Sequence, residues 1–282
     1  MLDRQKYLVL VPDGMADVPL DELDGKTPME YAKTPNMDRL VRAAEVGTTC
    51  HVPDGMTPES SVANMSIMGY DPTVYFTGRG PIEAANMGLN LEGKIAYRCN
   101  IVTVKDDIMV DFSSGHITIP EGAELMRSLQ ESLGNDRVTF YPGRSYRHIL
   151  MTGPEGADCR NMPPHDIVGQ NISEHLPTGQ ASEMLRDLME RSKDVLRNHP
   201  VNLKRIQEGK NPATQIWPWG QGPRPNLPLF QDLFGLTGAV ISAVDLIQGI
   251  GRLIGFRVIE VPGATGFVDT NYEGKADAAL KA

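Results

Sequence analysis

The chain has 282 residues, 40% of them apolar and 22% charged, with a formal net charge of −9. That is ordinary globular composition, enough for one large domain or two modest ones. The acidic balance excludes nucleic acid and anionic membranes as partners drawn by the overall field, so an anionic substrate needs a local basic pocket.

Cys50, Cys99 and Cys159 are an odd, widely spaced set. They form neither a zinc spacing nor a disulfide framework and fit a reducing, cytoplasmic setting. Near the N-terminus, Leu8-Val9-Leu10-Val11 closes on Pro12-Asp13-Gly14. The run is too short for a signal h-region and reads as a central parallel strand buried on both faces. A helix is expected over residues 26–45 and a second strand near 47–52. Pro58-Glu59-Ser60-Ser61 opens a further helix, which Gly69 stops.

The middle changes texture. Short strand-like runs occur at 101–104, 108–110, 138–141 and 148–151, and a long helix is expected over 180–198. Residues 208–228 are rich in Pro and Gly, including Trp217-Pro218-Trp219-Gly220, and read as a crossing between domains. Alternating texture then returns, with a strand at 239–244, a helix at 246–254 and a strand at 256–261. The expected fold class is α/β, a mainly parallel sheet in a discontinuous core of residues 1–75 and 230–282. A smaller α+β domain, residues 76–229, is inserted into it. The last nine residues are strong helix formers with no terminal breaker.

Residue types that carry phosphoryl chemistry recur along this framework. Asp13 follows the first expected strand, where open α/β sheets bind ligands and where a carboxylate can hold a divalent ion. By position alone a turn aspartate in Pro12-Asp13-Gly14, a common turn sequence, is the favoured reading. Ser60 stands where a loop becomes a helix, so backbone N–H groups and the helix dipole favour an anion there, including a phosphoryl group on the serine itself. Asn64 lies one turn on, on the same face; a plain N-cap serine with a solvated asparagine is the competing reading. Arg79, Arg98, His116, Arg147, His148, His165 and Asp166 sit in Gly-, Pro- and Ser-rich turns, and guanidinium forks bind phosphate and carboxylate bidentately.

Together these segments resemble the archaeal-type cofactor-independent phosphoglycerate mutases of the alkaline phosphatase superfamily. The resemblance rests on Leu8 to Gly14, on Ser60-Ser61-Val62-Ala63-Asn64-Met65-Ser66-Ile67-Met68-Gly69-Tyr70-Asp71-Pro72, and on Tyr75-Phe76-Thr77-Gly78-Arg79-Gly80-Pro81. It continues through Arg98-Cys99-Asn100, Gly115-His116-Ile117, Tyr146-Arg147-His148, Pro164-His165-Asp166 and Asp269 to Lys275. It implies an alkaline-phosphatase-like core and interconversion of 3-phosphoglycerate and 2-phosphoglycerate through a phosphoserine on Ser60. It also implies two divalent ions, Mn²⁺ or Mg²⁺, held in part by Asp13 and Ser60, and no 2,3-bisphosphoglycerate. Substrate would be bound by Asn64, Arg79, Arg98, His116, Arg147, His148, His165 and Asp166.

Two features depart from the family pattern. Glu59 and Ser61 flank the serine where the family carries glycine and an acidic residue. No histidine occurs between Val201 and Ala282, so the family's later Asp/His metal ligands have no counterpart, and a native chain continuing past Ala282 is expected. The alternatives are a metal-dependent phosphatase or phosphodiesterase of the same superfamily, or a catalytically inactive fragment that binds phosphorylated metabolites. The only partner expected is the small-molecule substrate, with no nucleic acid and no membrane; the sequence sets no oligomeric state.

Overall fold

A computed structural model describes residues 6–282. The chain divides into two compact units, Met1–Cys50 and His51–Ala282.

In the first unit a 3-10 turn over Asp21–Leu23 precedes α1 (Pro28–Tyr31) and α2 (Pro35–Val41). The single helix expected over 26–45 is broken by Pro35. Proline has no N–H to give and pushes the residue before it out of the α region, so it starts a helix and cannot continue one. Thr27 caps α1 reciprocally with Glu30, the capping-box arrangement. Residues 7–11, expected as a buried strand, are exposed and form none. The apolar pattern meets only half of what a strand needs. Its N–H and C=O groups also require a ladder, and no described residue pairs with the run. Residues 47–52 likewise form no strand.

The second unit opens with α3 (Ser60–Ile67), α4 (Pro72–Tyr75) and α5 (Arg79–Asn86). Then come β1 (Ile95–Lys105), β2 (Ile108–Asp111), α6 (Ile119–Leu133), β3 (Val138–Arg144) and β4 (Arg147–Thr152). After 3-10 turns, α7 (Ser182–Arg197) and α8 (Pro200–Gln207) lead to β5 (Gln215–Gly222). The remainder is α9 (Phe230–Phe234), β6 (Ala239–Val240), α10 (Asp245–Leu253), β7 (Arg257–Val258) and α11 (Tyr272–Lys281).

The expected α/β class holds at the level of mixed helices and sheets, but the expected mainly parallel sheet does not. The main sheet has five strands, and every pairing in it is antiparallel: β2-β1-β4-β3, with β5 also on β1. Parallel pairing among the described residues is confined to the two-residue strands β6 and β7. Local hairpins joined by short turns favour the antiparallel arrangement. The stretch read as a crossing supplies β5, a further correction. Pro218 is tolerated there because β5 pairs with β1 alone, and an edge strand can present a missing N–H to its open side.

Strand β1 is buried through nine consecutive residues. Its odd positions, Ile95, Tyr97, Cys99 and Ile101, pack against Leu125, Met126 and Leu129 of α6 and Leu185 and Leu188 of α7. Ala96 packs oppositely, with Ala84 of α5 and Ile149 and Met151 of β4. Strand alternation therefore puts Arg98 and Asn100 on the α5 face too. A third cluster joins Met65 of α3, Ile82 of α5 and Leu246 and Ile250 of α10, so α3 and α5 share one support.

Candidate functional site

Arg98 and Asn100 are buried polar residues inside a strand, and such groups persist only with partners. α5 supplies the main one. Arg98 Nη1 donates to Glu83 Oε1 at 3.0 Å, and Arg79 Nε donates to the same oxygen at 2.9 Å.

Two glycines explain why the Thr77-Gly78-Arg79-Gly80-Pro81 turn can deliver these groups. A Cβ on Gly78, whose φ is 144°, would lie 2.2 Å from the Gln221 carbonyl oxygen, and one on Gly80 would lie 2.5 Å from that of Ala96. Backbone thus rests on backbone, and no larger residue permits that approach.

Aromatic rings wall the cluster. The Arg98 and Arg79 guanidinium carbons lie 5.0 and 5.6 Å from the Trp219 ring centroid, each a cation–π contact worth ~1 kcal/mol. Trp219 is fixed by its own N–H, which donates to Asn100 Oδ1 at 3.0 Å. His165 packs edge-on to Trp219 at 5.3 Å and to Phe112 at 6.0 Å. Phe112 meets Tyr146 at 5.6 Å, and Arg147 lies 5.7 Å from the Tyr146 ring.

The charge balance is uneven. Burial pushes Glu83 up, but the Arg98 and Arg79 charges, the Arg79 hydrogen bond and the Arg147 charge outweigh it and hold the carboxyl below its ordinary value. Burial above all pulls Arg98 down to about 10, against the opposing effect of Glu83. Arg98 Nε and Arg147 Nε are buried without a hydrogen-bond partner. Two guanidiniums on one buried carboxylate, with the Arg147 charge acting on it as well, leave net positive charge and donors to spare, which suits a small anion. His165 is pushed below its ordinary value by burial, with Arg98 and Arg79 adding to the shift and Asp166 opposing it. Asp166 itself is exposed, 3.7 Å from His165 Nε2.

His148 follows Arg147 and by strand alternation takes the opposite, α6 face. A Cβ built on Gly122 of α6 falls 3.1 Å from its ring. His148 Nδ1 accepts the Gly143 N–H at 3.0 Å. Burial, with Arg98 adding to it, drives His148 down to about 3. A depressed histidine destabilises the fold as the solution acidifies: the stability it contributes above pH ~6.5 is lost as pH falls towards about 3. His148 is therefore expected to show no ring titration between pH 5 and 8 in an NMR pH series; a midpoint inside that range would contradict this burial.

Ser60 is exposed at the first residue of α3. The first bond of that helix is Ala63 N–H to the Glu59 carbonyl, so the N–H groups of Ser60, Ser61 and Val62 have no helical acceptor. Glu59 takes the N-cap position without a side-chain cap bond. Ser61 turns inward, and its hydroxyl is buried without a partner. Asn64 donates its amide to the Ser60 carbonyl at 2.9 Å, leaving its other N–H uncommitted. His116 is exposed in the loop after β2. Asp13 is exposed in a Pro12–Met15 turn of the first unit.

The structure thus brings Arg79, Arg98, Arg147 and His165 together. It adds Glu83, Trp219, Asn100, Tyr146 and Phe112, which the sequence reading did not single out. Glu83 had one visible signal, its place four residues after Arg79 on a helix. No group of three or more His, Cys, Asp or Glu side chains able to hold a metal ion is gathered among the described residues. No helix there is long and apolar enough to cross a membrane.

Comparison with known proteins identifies the chain's relatives. The sequence profile of 2,3-bisphosphoglycerate-independent phosphoglycerate mutase matches residues 42–202. A protein of that name from Methanothrix thermoacetophila is 53% identical over 281 residues, covering 98% of this chain and 70% of its own length. One from Geobacter sulfurreducens, named as a probable mutase of this kind, is 50% identical over 282 residues, covering 71% of its own length. A solved protein from Pyrococcus horikoshii superposes with a TM-score of 0.74 at 30% identity, over 95% of this chain and 65% of that one. The cofactor-independent phosphoglycerate mutase from Thermoplasma acidophilum superposes at 0.53 with 27% identity, over 72% of its length. The chain belongs to the 2,3-bisphosphoglycerate-independent phosphoglycerate mutase family.

Proposed function

We propose that this chain binds phosphoglycerate and takes part in interconverting its 3-phospho and 2-phospho forms, without 2,3-bisphosphoglycerate. The observation that carries the reading is the excess of guanidinium groups around Glu83, with buried Arg98 and Arg147 donors left over, in a chain of net charge −9. A trianionic substrate needs such fixed cations. Arg79, Arg98 and Arg147 hold its anionic groups, with His165 and Asp166 at the exposed rim. His116 reaches the glycerate from its loop, and His148 backs the sheet as a neutral ring. Asn64 offers its free N–H to a phosphoryl oxygen.

In the proposed reaction, Ser60 Oγ attacks phosphorus. The bond from phosphorus to the substrate oxygen breaks, and that oxygen takes up a proton to match the one Ser60 gives up. The bound glycerate turns, and its other hydroxyl, losing its proton, attacks the phosphoserine; the phosphoryl group returns to the glycerate, and Ser60 Oγ takes up a proton as it leaves. The unpaired N–H groups at the start of α3 face the charge on the transferring oxygens.

Two divalent ions, with Asp13 and Ser60 among their ligands, remain part of the proposal from the family resemblance. The described residues gather no three-ligand group, so no step is derived through a metal. The division into a core (1–75 and 230–282) and an insert (76–229) is likewise proposed; it is supported by all five strands of the main sheet falling between residues 95 and 222. A cytoplasmic location is proposed from the cysteine pattern.

Arg147→Ala is expected to weaken 3-phosphoglycerate binding by about tenfold to a hundredfold, the cost of one charge-assisted fork. Calorimetric titration checks it, and an unchanged affinity would remove Arg147 from the site.

A further inference from the structure

The loop between β2 and α6 holds a conformation that L-residues avoid. Ser114, Gly115 and His116 follow one another with φ of 49°, 66° and 50°. Single left-handed residues are uncommon outside glycine, and three in succession persist only where the surroundings over-determine them.

Two buried or half-buried groups do so. The Asp111 carboxylate accepts from Ser113 N–H and Ser113 Oγ through Oδ1, and from Gly115 N–H and Asn211 Nδ2 through Oδ2. Beneath the loop lies Arg205 of α8, 1% exposed. Its Nη2 donates to the Ser114 carbonyl at 2.5 Å and the Gly115 carbonyl at 3.3 Å. Its Nε donates to the Asn211 carbonyl, and its Nη1 to Glu121, both at 3.0 Å.

An ion pair with Glu121 alone would explain Nη1 and nothing else. The remaining donors go to carbonyls, two of them on the left-handed residues themselves. The fit is close enough that a Cβ on Gly115 would lie 3.0 Å from Nη2. The product of this packing is one exposed side chain, His116. Strain of this kind concentrates at functional sites.

We infer that Arg205 is a positioning residue: its guanidinium locks the Ser114-Gly115-His116 turn in the left-handed form and so fixes His116 for the bound glycerate. The inference rests on the reading that His116 contacts substrate. Lysine cannot replace the fork, because an ammonium is a point donor that cannot span the same carbonyls in one plane.

The test uses the full chain, with hydrogen exchange of the 111–118 segment and calorimetric titration with 3-phosphoglycerate. Arg205→Lys should speed exchange at Gly115 and weaken binding, each about tenfold, a typical coupling within one hydrogen-bonded network. His116→Ala should also weaken binding. The double variant should bind no worse than His116→Ala alone, because the lock acts only through that ring. Unchanged exchange in Arg205→Lys overturns the inference, and so do binding losses that add in the double variant. If His116→Ala alone binds like wild type, the substrate reading of His116 falls, and the exchange result still decides the lock. Should Arg205→Lys not fold, Gly115→Ala disturbs the same contact from the loop side and must give both losses.

Discussion

Replacing Ser60 with alanine is expected to reduce phosphoglycerate interconversion more than about a thousandfold, as removing a covalent nucleophile does. Replacing Ser61 should leave most of it. The adjacent hydroxyls differ in what the fold lets them do. Ser60 is exposed at the start of α3, beside N–H groups with no helical acceptor. Ser61 is fully buried, and its Oγ meets no partner. A buried hydroxyl without a partner costs on the order of 1–3 kcal/mol relative to solvation. Ser61→Ala removes that cost, so the variant should be as stable as the parent or slightly more stable. Mass spectrometry after incubation with substrate should find the phosphoryl group on Ser60 and lose it in Ser60→Ala. Equal activity losses in the two variants, or phosphate on Ser61, would place the nucleophile wrongly.

Local pattern carried the reading furthest where the partners are near in sequence. The runs at 101–104, 108–110, 138–141 and 148–151 fall inside β1 to β4, whose hairpins and alternation leave a local trace. The helix opening at Ser60 is legible because proline and the polar turn precede an apolar stretch. Residues 7–11 carry as strong an apolar pattern as any of these, yet form no strand, because a ladder depends on partners the run itself does not specify. The opposite error occurred at Trp217-Pro218-Trp219-Gly220. Proline and glycine mark a breaker locally, and only the strand's edge position makes them acceptable. The candidate site divides in the same way. Arg79 is visible in its glycine-rich turn, whereas Arg98, read as a turn residue, lies inside β1, and Arg147 opens β4. That Arg79 and Arg98 meet on Glu83, with the Arg147 charge acting on it, depends on Gly78 and Gly80 letting α5 rest on the sheet, a contact between backbones with no periodicity to betray it.

Glu83→Ala is expected to destabilise the fold by about 3–5 kcal/mol, the cost of leaving a buried ion pair half empty. Glu83 and Arg98 are 7% and 4% exposed, so water does not take over the role of the lost carboxylate. Arg98 would stay beside Arg79 and Arg147 with only aromatic faces to offset its charge. The site would fail together with the fold, because the same carboxylate that stabilises α5 on β1 aims two guanidiniums.

The pH dependence has a defined sign. The neighbouring arginines hold Glu83 below its ordinary value of 4.5. Its contribution is therefore complete above pH ~4.5 and is lost as pH falls through the lower folded value. Glu83→Gln keeps much of the shape and gives up the charge, so its stability should change less between pH 7 and 3 than that of the parent. Urea unfolding midpoints across that range measure both effects. A Glu83→Ala variant within about 1 kcal/mol of the parent would mean that the guanidiniums are solvated or paired elsewhere. Identical acid profiles for Glu83→Gln and the parent would mean that another carboxylate carries the acid sensitivity.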